Sequence, residues 1–355
     1  MKPVKIGLVG TGSISNAHMT GYSKLAEQGK VELVAACDLN VERAKAWAKK
    51  YGFREVYGSH KEMLEKSDID AISVCTWNNA HAQITIDALR AGKHVLCEKP
   101  PAMTVEEALA MQQAEKETGK ILMIGFVRRF GRNADLVLEF AKNGFFGDVN
   151  FAKIAVTRRC GCPLGWFANS KLSGGGPLLD NGVHLIDLVR YLTGKPKAVS
   201  CYASTYNNIG SRTNIKGVDR YSSVDPSDFN DVEDLAVGMV KFDNGMTMSL
   251  EFSYSEEIEE GVIGVEIYGS KGGAVVQPHL TLMTEMHDYM VNITPQIDGA
   301  TFDFNVFEQE IAHFVDCVNG ETECRNRIED GVELMRIITS MYESARTGHE
   351  VIIQR

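Results

Sequence analysis

The sequence lacks any apolar stretch long enough to cross a membrane. Its longest uninterrupted apolar runs, such as 121–127, have the length of a strand, whereas a membrane span needs roughly 18 apolar residues. The short apolar segment at the start runs directly into Gly10-Thr11-Gly12, which indicates a first strand and not a secretion signal. We therefore expect a protein with no membrane partner.

Positive charge is also in short supply. Lys and Arg number 37 against 47 Asp and Glu, which leaves a formal net charge of -10 and a pI of about 5.5. A surface of this sign repels phosphate backbones and anionic lipid headgroups. The composition thus argues against nucleic acid as the main partner, and it favours solubility.

The cysteines show no spacing typical of a disulfide framework. There are 8, several of them inside apolar runs where a reduced thiol packs as a small apolar group. The one close pair is Cys160-Gly161-Cys162, and no second Cys or His pair has the spacing that would complete a metal site with it. We expect reduced thiols, no metal and a cytoplasmic location.

The first third of the chain alternates apolar strand-like runs with helical stretches. Alternation of this kind predicts a parallel sheet with helical crossovers, an α/β domain of Rossmann type. Thr104, with Glu107 three residues on, has the pattern of a capped helix start. The expected strands are 4–10, 31–37, 71–76, 94–97 and 121–126, and the other expected helices are 14–28, 41–51 and 80–91.

The pattern changes after residue 126, and 355 residues in all suggest two domains. Short strands with few helices between them predict an α+β second domain whose sheet is mostly antiparallel, with a hairpin turn at Asp243-Asn244-Gly245. Domain boundaries of 1–126 and 127–355 follow, and Thr205–Asp231 is expected to be a long loop. The expected strands are 149–157, 198–204, 235–242, 247–252, 264–268 and 273–276, with closing helices at 306–318 and 328–346.

Gly10-Thr11-Gly12-Ser13-Ile14-Ser15 has the context of a dinucleotide-binding turn, because a strand precedes it and a helix follows. The glycines permit a tight turn and a close approach to pyrophosphate, while the helix start offers amide donors. Asp38 ends the second strand, where a carboxylate binds the adenine ribose hydroxyls. No Arg stands at Leu39 or Asn40 to receive a 2′-phosphate, so NAD is favoured over NADP; a capping role for Asp38 stays open.

Two further segments carry groups suited to proton transfer. Lys99, in Cys97-Glu98-Lys99-Pro100, follows a strand at the sheet edge where ligands of parallel sheets bind. Asp180 and His184 are four apart and share one face if the segment is helical. Each has a plainer interpretation: a solvated surface lysine, and a helix-capping Asp with a His packed in the core.

Taken together, these motifs resemble the Gfo/Idh/MocA oxidoreductase family, the relatives of glucose–fructose oxidoreductase and inositol dehydrogenase. The resemblance runs over nearly the whole chain, and the combination of Glu-Lys-Pro with Asp-x-Gly-x-x-His is specific to it. The segments that carry it are the glycine turn, Thr76–His81, Gly92–Pro100, Gly125–Phe130 and Gly174–His184.

The resemblance implies a Rossmann domain followed by a domain with an open, mainly antiparallel sheet that commonly forms oligomer interfaces. It also implies that Lys99, Asp180 and His184 form the catalytic group. The positions that it matches to the cofactor site are Gly10, Gly12, Ser13, Ile14, Asp38, Thr76, Trp77, Asn78, His81, Glu98, Lys99 and Arg128. Two residues depart from the common pattern: Ser15 replaces glycine or alanine, and Trp77 replaces proline.

The chemistry expected of this set is hydride transfer between NAD and a carbinol carbon of a sugar or cyclitol, with His184 as base and Lys99 stabilising the oxygen. Arg129, Trp166 and Asn181 are expected substrate contacts. Two other functions stay open, an NAD-dependent glycosidase that oxidises a ring hydroxyl transiently and a non-enzymatic NAD-binding sensor. The strand-rich second half, with an apolar sheet face not covered by local helices, predicts a homodimer or homotetramer.

Overall fold

The computed structural model of the protein describes residues 2–218, 223, 229–296 and 305–355. It divides into two compact units, one of Met1–Val127 with Phe304–Val332 and one of Arg128–Asp303 with Glu333–Arg355. Among the described residues, no helix combines the length and the apolar composition that crossing a membrane requires.

The first unit is built on a parallel sheet of 6 strands in the order β3-β2-β1-β4-β5-β6. The strands are β1 (Val4–Val9), β2 (Val31–Cys37), β3 (Glu55–Tyr57), β4 (Ala71–Val74), β5 (His94–Cys97) and β6 (Leu122–Ile124). The helices between them are α1 (Ser13–Glu27), α2 (Val41–Tyr51), α3 (His60–Lys66), α4 (Asn78–Arg90) and α5 (Val105–Thr118). The central strands are mostly apolar and buried, as is typical of parallel sheets whose strands are connected by helices, although Ser73 of β4 is polar and fully buried.

Local sequence sets the helix ends in this unit. The Thr104 hydroxyl accepts from the Glu107 amide at 3.2 Å, and the Glu107 carboxylate accepts from the Met103 amide at 2.9 Å. The cap expected at Thr104 is therefore confirmed, with the return bond one residue earlier than in the usual capping box. Helix α5 then ends at Gly119 in the left-handed region, where glycine carries no steric cost.

The strand order places the reversal point between β1 and β4. Chain connections diverge there, so a crevice opens beyond the carboxyl ends of these strands, where open α/β sheets bind ligands. Strands β1, β2, β4 and β5 all end at this edge of the sheet. The residues that directly follow them therefore share one edge.

The second unit contains a mixed sheet of 9 strands in the order β14-β13-β12-β11-β7-β10-β9-β8-β15. Only β7 and β10 pair in parallel, so the predicted fold class is confirmed for both halves. The strands are β7 (Val149–Thr157), β8 (Ala198–Tyr206), β9 (Leu235–Phe242), β10 (Thr247–Ser253), β11 (Val262–Gly269), β12 (Gly272–Gln277), β13 (Thr281–Met286), β14 (Tyr289–Ile293) and β15 (Val351–Ile352). The helices of its first part are α6 (Arg132–Lys142), α7 (Ser170–Ser173) and α8 (Val183–Leu192).

Helix α8 packs on one face of this sheet, and the other face exposes apolar side chains. The alternation along β8 and β9 exposes Tyr202 and Met239, which lie opposite each other in the ladder. Met290 of β14, on the same face, is 84% exposed. The hairpin turn expected at Asp243-Asn244-Gly245 joins antiparallel β9 and β10, as predicted.

Two helices close the chain, α9 (Asn305–Val318) and α10 (Ile328–Thr347). Helix α9 packs on α1, where Lys24 pairs with Glu308 at 2.5 Å and the rings of His18 and Phe307 lie 6.4 Å apart. The first unit therefore includes Phe304–Val332, although the sequence-based boundary assigned everything after residue 126 to the second domain. Of the expected loop Thr205–Asp231, residues 205 and 206 belong to β8, and 219–222 and 224–228 lie outside the described residues.

Candidate active site

The glycine turn after β1 has the geometry that a dinucleotide needs. Gly10 has a φ of 94°, and a Cβ there would lie 2.5 Å from the Cys75 carbonyl oxygen, so only glycine fits. A Cβ on Gly12 would meet no protein atom within 4 Å, and no side chain caps α1. Ser15 is fully buried and its hydroxyl donates to the Gly12 carbonyl at 2.6 Å. The serine thus fits inside the turn, and the helix start fits an anion.

Asp38 lies directly after β2 with all its acceptor sites in use. One carboxylate oxygen accepts from the Thr11 amide and hydroxyl at 2.8 and 2.9 Å. The other accepts from the Asn40 amide at 2.8 Å and from Arg43 Nη2 at 2.9 Å. Burial alone would raise the pKa of Asp38, but these bonds outweigh it and hold the pKa below its usual value. Sequence reasoning missed Arg43, which lies one helical turn beyond the positions that were searched for a cation.

The residues after β4 line the same edge. His81 is buried, with its ring nitrogens 2.8 Å from the Pro100 carbonyl oxygen and 3.1 Å from that of Thr76, and burial lowers its pKa. It therefore ties the start of α4 to the Glu98-Lys99-Pro100 segment. Asn78 is the buried first residue of α4, and Trp77 before it is 39% exposed.

Glu98 follows β5 and belongs to a buried polar network. Its carboxylate bonds His18 Nε2 at 2.8 Å and the Lys99 amide at 3.1 Å, and His18 also contacts Ser73 at 3.2 Å. Burial would raise the pKa of Glu98, but the bond and charge of His18 lower it below its usual value. Glu310 of α9 is the third member, and burial followed by the Glu98 charge raises its pKa well above the ordinary range.

Donor atoms of His18, Glu98 and Glu310 lie within 4.8 Å of one another, so these side chains could hold a metal ion. All three are buried, and the imidazole already bonds Glu98. The pKa of the buried Glu98 is lowered and that of the adjacent buried Glu310 is raised. One proton shared by the two carboxyl groups explains this arrangement as well as a metal ion would. We therefore assign no metal to this cluster. Lys99 directly follows Glu98 and is half-buried, at the edge of the sheet where ligands of parallel sheets bind.

In the second unit, Asp180 lies in a π-helical turn, Leu178–Gly182, and His184 in the first turn of α8. The sequence suggested that both residues share one face if the segment is helical, and the structure places them in two consecutive helical elements. π-Helical turns of this kind are rare and frequent at functional sites. The Tyr254 hydroxyl, fully buried, donates to the Asp180 carboxylate at 3.0 Å.

Glu233 anchors the chain that leads into this turn. Its carboxylate accepts from the amides of Gly176 and Leu178 at 2.9 and 3.1 Å, and from the Tyr342 hydroxyl of α10 at 2.9 Å. Burial raises the pKa of Glu233, and these hydrogen bonds offset part of the rise. Sequence reasoning missed both Glu233 and Tyr254, because each acts on residues more than 50 positions away.

The three expected substrate contacts have different surroundings. Asn181 is 9% exposed, and its carboxamide oxygen accepts from Arg158 at 3.4 Å. Trp166 is half-buried, with its ring centroid 3.9 Å from that of Phe167.

Arg129 does not have the surroundings of a substrate contact. It is fully buried, and its guanidinium bonds both carboxylate oxygens of Asp187 at 2.8 and 2.5 Å. The structure gives Arg129 a structural role in place of the expected substrate contact, because a buried bidentate ion pair leaves the guanidinium committed. Its neighbour Arg128 lies in the same unit and donates to Gln277 at 3.1 Å.

The fold and the glycine turn define the first unit as a dinucleotide-binding domain. The chain belongs to the Gfo/Idh/MocA oxidoreductase family: residues 4–126 match the family's NAD-binding Rossmann domain, and residues 136–275 match a GFO/IDH/MocA C-terminal domain. The resemblance inferred from the sequence motifs is thereby confirmed, and NAD is the cofactor of this domain class.

Relatives named as sugar dehydrogenases cover most of the chain or nearly all of it. D-glucoside 3-dehydrogenase of Escherichia coli (strain K12) is 33% identical over 98% of this chain and 97% of its own. Levoglucosan dehydrogenase of Pseudarthrobacter phenanthrenivorans is 30% identical over 78% of this chain and 74% of its own. A solved structure of levoglucosan dehydrogenase with NADH and L-sorbose aligns over 100% of both chains at a TM-score of 0.87 and 23% identity, which shows the shared fold.

Proposed function

We propose that the chain is an NAD-dependent dehydrogenase that oxidises a secondary ring hydroxyl of a sugar, with the C3 hydroxyl of a D-glucoside as the leading candidate. The observation that carries the proposal is the π-helical turn, in which Asp180 is held by Tyr254 directly before the helix that bears His184. The similarity to D-glucoside 3-dehydrogenase over nearly the full length supports the choice of substrate class.

The roles follow from the chemistry of these groups. NAD, when bound, supplies the hydride acceptor. His184 takes the hydroxyl proton as the hydride leaves the same carbon, because an imidazole titrates near neutral pH. Lys99 donates to the substrate oxygen and stabilises its developing negative charge. Asp180, fixed by Tyr254, orients the imidazole or binds a neighbouring hydroxyl.

A product analysis tests this function. The purified chain is incubated with NAD and methyl D-glucosides, levoglucosan, myo-inositol or p-nitrophenyl β-D-glucoside, while NADH absorbance and nitrophenol release are followed together. We expect NADH in equal amount to a keto-sugar, with the ketone at C3 by NMR. Nitrophenol release without net NADH would instead indicate the glycosidase, and NAD binding without turnover of any sugar would indicate a sensor.

We also propose that the chain self-associates through the exposed face of its nine-stranded sheet. Support comes from the apolar side chains on that face, including Tyr202, Met239 and Met290. Light scattering at micromolar concentration is expected to give a dimer or tetramer mass, and a Met239→Lys variant is expected to shift it towards the monomer. The free thiol state of all eight cysteines supports the expected cytoplasmic location.

A further inference from the structure

A group of hydrogen-bond donors lies beside the π-helical turn with few acceptors to match. Arg158 follows β7, and its guanidinium reaches the Gly161 carbonyl at 3.3 Å and the Asn181 carboxamide oxygen at 3.4 Å, both long hydrogen bonds. The Asn181 amide nitrogen is buried and has no hydrogen-bond partner among the described residues. A buried donor without an acceptor is costly, so this group has unfilled capacity for a ligand.

The position of Arg158 is fixed by its surroundings. Its amide donates to Ser253 at 3.0 Å, and its side chain lies so close over Gly161 that a Cβ there would be 2.3 Å from Cδ of the arginine. Glycine at 161 is therefore required for this placement. The guanidinium lies beside Asn181, one residue from Asp180.

Charge decides what kind of acceptor fits. Among the residues that the structure describes, Arg158 forms no ion pair, and Asp180 next to Asn181 already accepts from Tyr254. A second guanidinium is close: burial and then the positive charge of Arg158 lower the pKa of Arg128 to about 10. A ligand hydroxyl would accept from Arg158 and Asn181 but would leave the repulsion between Arg128 and Arg158 in place. An anion would accept from the same donors and would also offset the positive charge of the two guanidinium groups.

We propose that Arg158 and Asn181 form a subsite for an oxyanion carried by the substrate, a carboxylate or a phosphate on the sugar or its aglycone. The inference rests on the proposed sugar dehydrogenase function for the identity of the molecule that bears the anion. It names an acidic sugar derivative as the preferred substrate, and it makes Arg158 a specificity-determining residue.

Steady-state kinetics with matched substrates test the subsite. Methyl β-D-glucoside, methyl β-D-glucuronide and glucose 6-phosphate are compared as substrates of the wild-type chain, Arg158→Gln and Arg159→Gln. We expect at least one anionic sugar to exceed the neutral glucoside by about tenfold or more in kcat/KM, mostly through KM, as a charge-assisted bond predicts. The two anionic arms distinguish a carboxylate from a phosphate.

Arg159 is the matched control, because it is exposed and adjacent in sequence, and among the described residues its guanidinium bonds only the Glu259 carbonyl. Arg158→Gln is expected to bring the anionic-to-neutral ratio close to one, and Arg159→Gln to preserve it. A wild-type chain that favours the neutral glucoside would overturn the subsite. So would an Arg158→Gln variant that loses the same factor on all three sugars.

A binding measurement keeps the two proposals separate. Melting temperatures are recorded with inorganic phosphate and with glucuronate for the same three proteins. If no sugar yields NADH, the dehydrogenase function fails, and a ligand-induced rise that Arg158→Gln alone lacks would still support the subsite. Equal rises in all three proteins, or none in the wild type, would overturn it.

Discussion

Two groups of polar residues, one in each unit, differ in how far the chain itself satisfies them. In the first unit, both oxygens of Asp38 are saturated by four donors, and both ring nitrogens of His81 contact carbonyl oxygens. In the second unit, the Asn181 amide has no partner among the described residues, and the Arg158 guanidinium makes long bonds to neutral oxygens. A ribose that binds Asp38 must therefore replace an existing bond, whereas a ligand of Arg158 and Asn181 adds bonds.

This difference has a physical reason. The cofactor is the same molecule in every reaction of such a domain. The chain can therefore satisfy the Asp38 carboxylate with its own donors, and one of them, the half-buried Arg43, can be replaced by the ribose hydroxyls. A substrate subsite distinguishes ligands best when an unmatched molecule leaves buried donors unpaired, since that penalty is larger than the gain of a single bond. Variants of residues in each unit test this difference, and the one with the largest expected effect is described first.

The largest effect is expected for His184→Asn. Loss of a positioned general base lowers turnover by about 10²–10⁴-fold. The NAD dissociation constant is expected to change little, because the role proposed for the imidazole is on the substrate and its helix lies in the second unit. Turnover, NAD affinity and melting temperature of the variant are the measurements.

Two comparisons complete that test. His60→Asn, which breaks a half-buried pair with Asp87 in the first unit, is expected to retain turnover. The double variant Lys99→Met/His184→Asn is expected to lose much less than the product of the single losses, because groups that act as a unit are not additive. A folded His184→Asn protein with near-normal turnover would remove His184 from the mechanism.

Tyr254→Phe is expected to lower kcat by about 10- to 100-fold, since a hydrogen bond to a charged group is worth about 1.5–3 kcal/mol. The variant removes the donor that holds Asp180, the group proposed to orient the imidazole or to bind a neighbouring hydroxyl. Tyr289→Phe, at a side chain that is 73% exposed, is the control and is expected to behave as wild type. A loss of melting temperature with unchanged kcat would reduce Tyr254 to a structural role.

Asp38→Ala is expected to narrow the preference for NAD over NADP by about tenfold, because the carboxylate repels a 2′-phosphate and its loss removes that repulsion. Calorimetric titration with both cofactors measures the ratio. Wild-type preference for NADP would contradict the role given to Asp38.

Arg43→Gln tests whether the ribose of NAD has to replace Arg43 as a partner of Asp38. We expect NAD to bind up to about fivefold more tightly to this variant, because the ribose no longer competes with the ion pair between half-buried Arg43 and buried Asp38. Lys45→Gln, which breaks the neighbouring exposed pair with Glu42, is the control for charge alone. Weaker NAD binding in Arg43→Gln would show that the guanidinium contacts the cofactor directly.

The smallest effect concerns stability at Glu310. Its pKa is raised in the folded protein, so the unfolded state releases the proton first, and folding stability falls as pH rises from the ordinary carboxyl pKa towards the raised one. Glu310→Gln cannot ionise and lacks this loss, which amounts to at most about 1.4 kcal/mol per pH unit. Unfolding midpoints at pH 5 and pH 8 are expected to diverge in favour of the variant, and parallel midpoints would contradict a raised pKa.

Much of the fold could be predicted because it is encoded locally. The 3.6-residue and continuous apolar patterns located α2, β5, β7 and β9 to the residue. Strand β3, only Glu55–Tyr57, was missed because three residues carry no periodic signal. Strands β13 and β14 were missed as well, because few of their side chains are buried and the apolar pattern is weak. The association of α9 with the first unit was also missed, since it depends on contacts such as Lys24–Glu308 that span the chain.

In the candidate site, too, features encoded by neighbouring residues could be predicted, and features that depend on distant residues could not. The glycine turn, Asp38 and Glu98-Lys99 each follow a strand directly, so their shared edge could be read from the order of elements. The ion pair of Arg129 could not be predicted, because its partner Asp187 lies 58 residues away. The π-helical turn at Asp180 likewise depends on Glu233 and Tyr254, and no local pattern in the sequence distinguishes it from an ordinary helix start.

The bond between Arg43 and Asp38 has a kinetic consequence. If a ribose replaces Arg43 as the partner of Asp38, the arginine stays close by on α2. It can bond the carboxylate again when the ribose hydroxyls dissociate. Dissociation then needs no unpaired carboxylate along the way, so the barrier to cofactor release is lowered. A short cofactor residence time suits an enzyme that must discharge its reduced coenzyme after every turnover, and it is the opposite of what a permanently loaded catalyst needs.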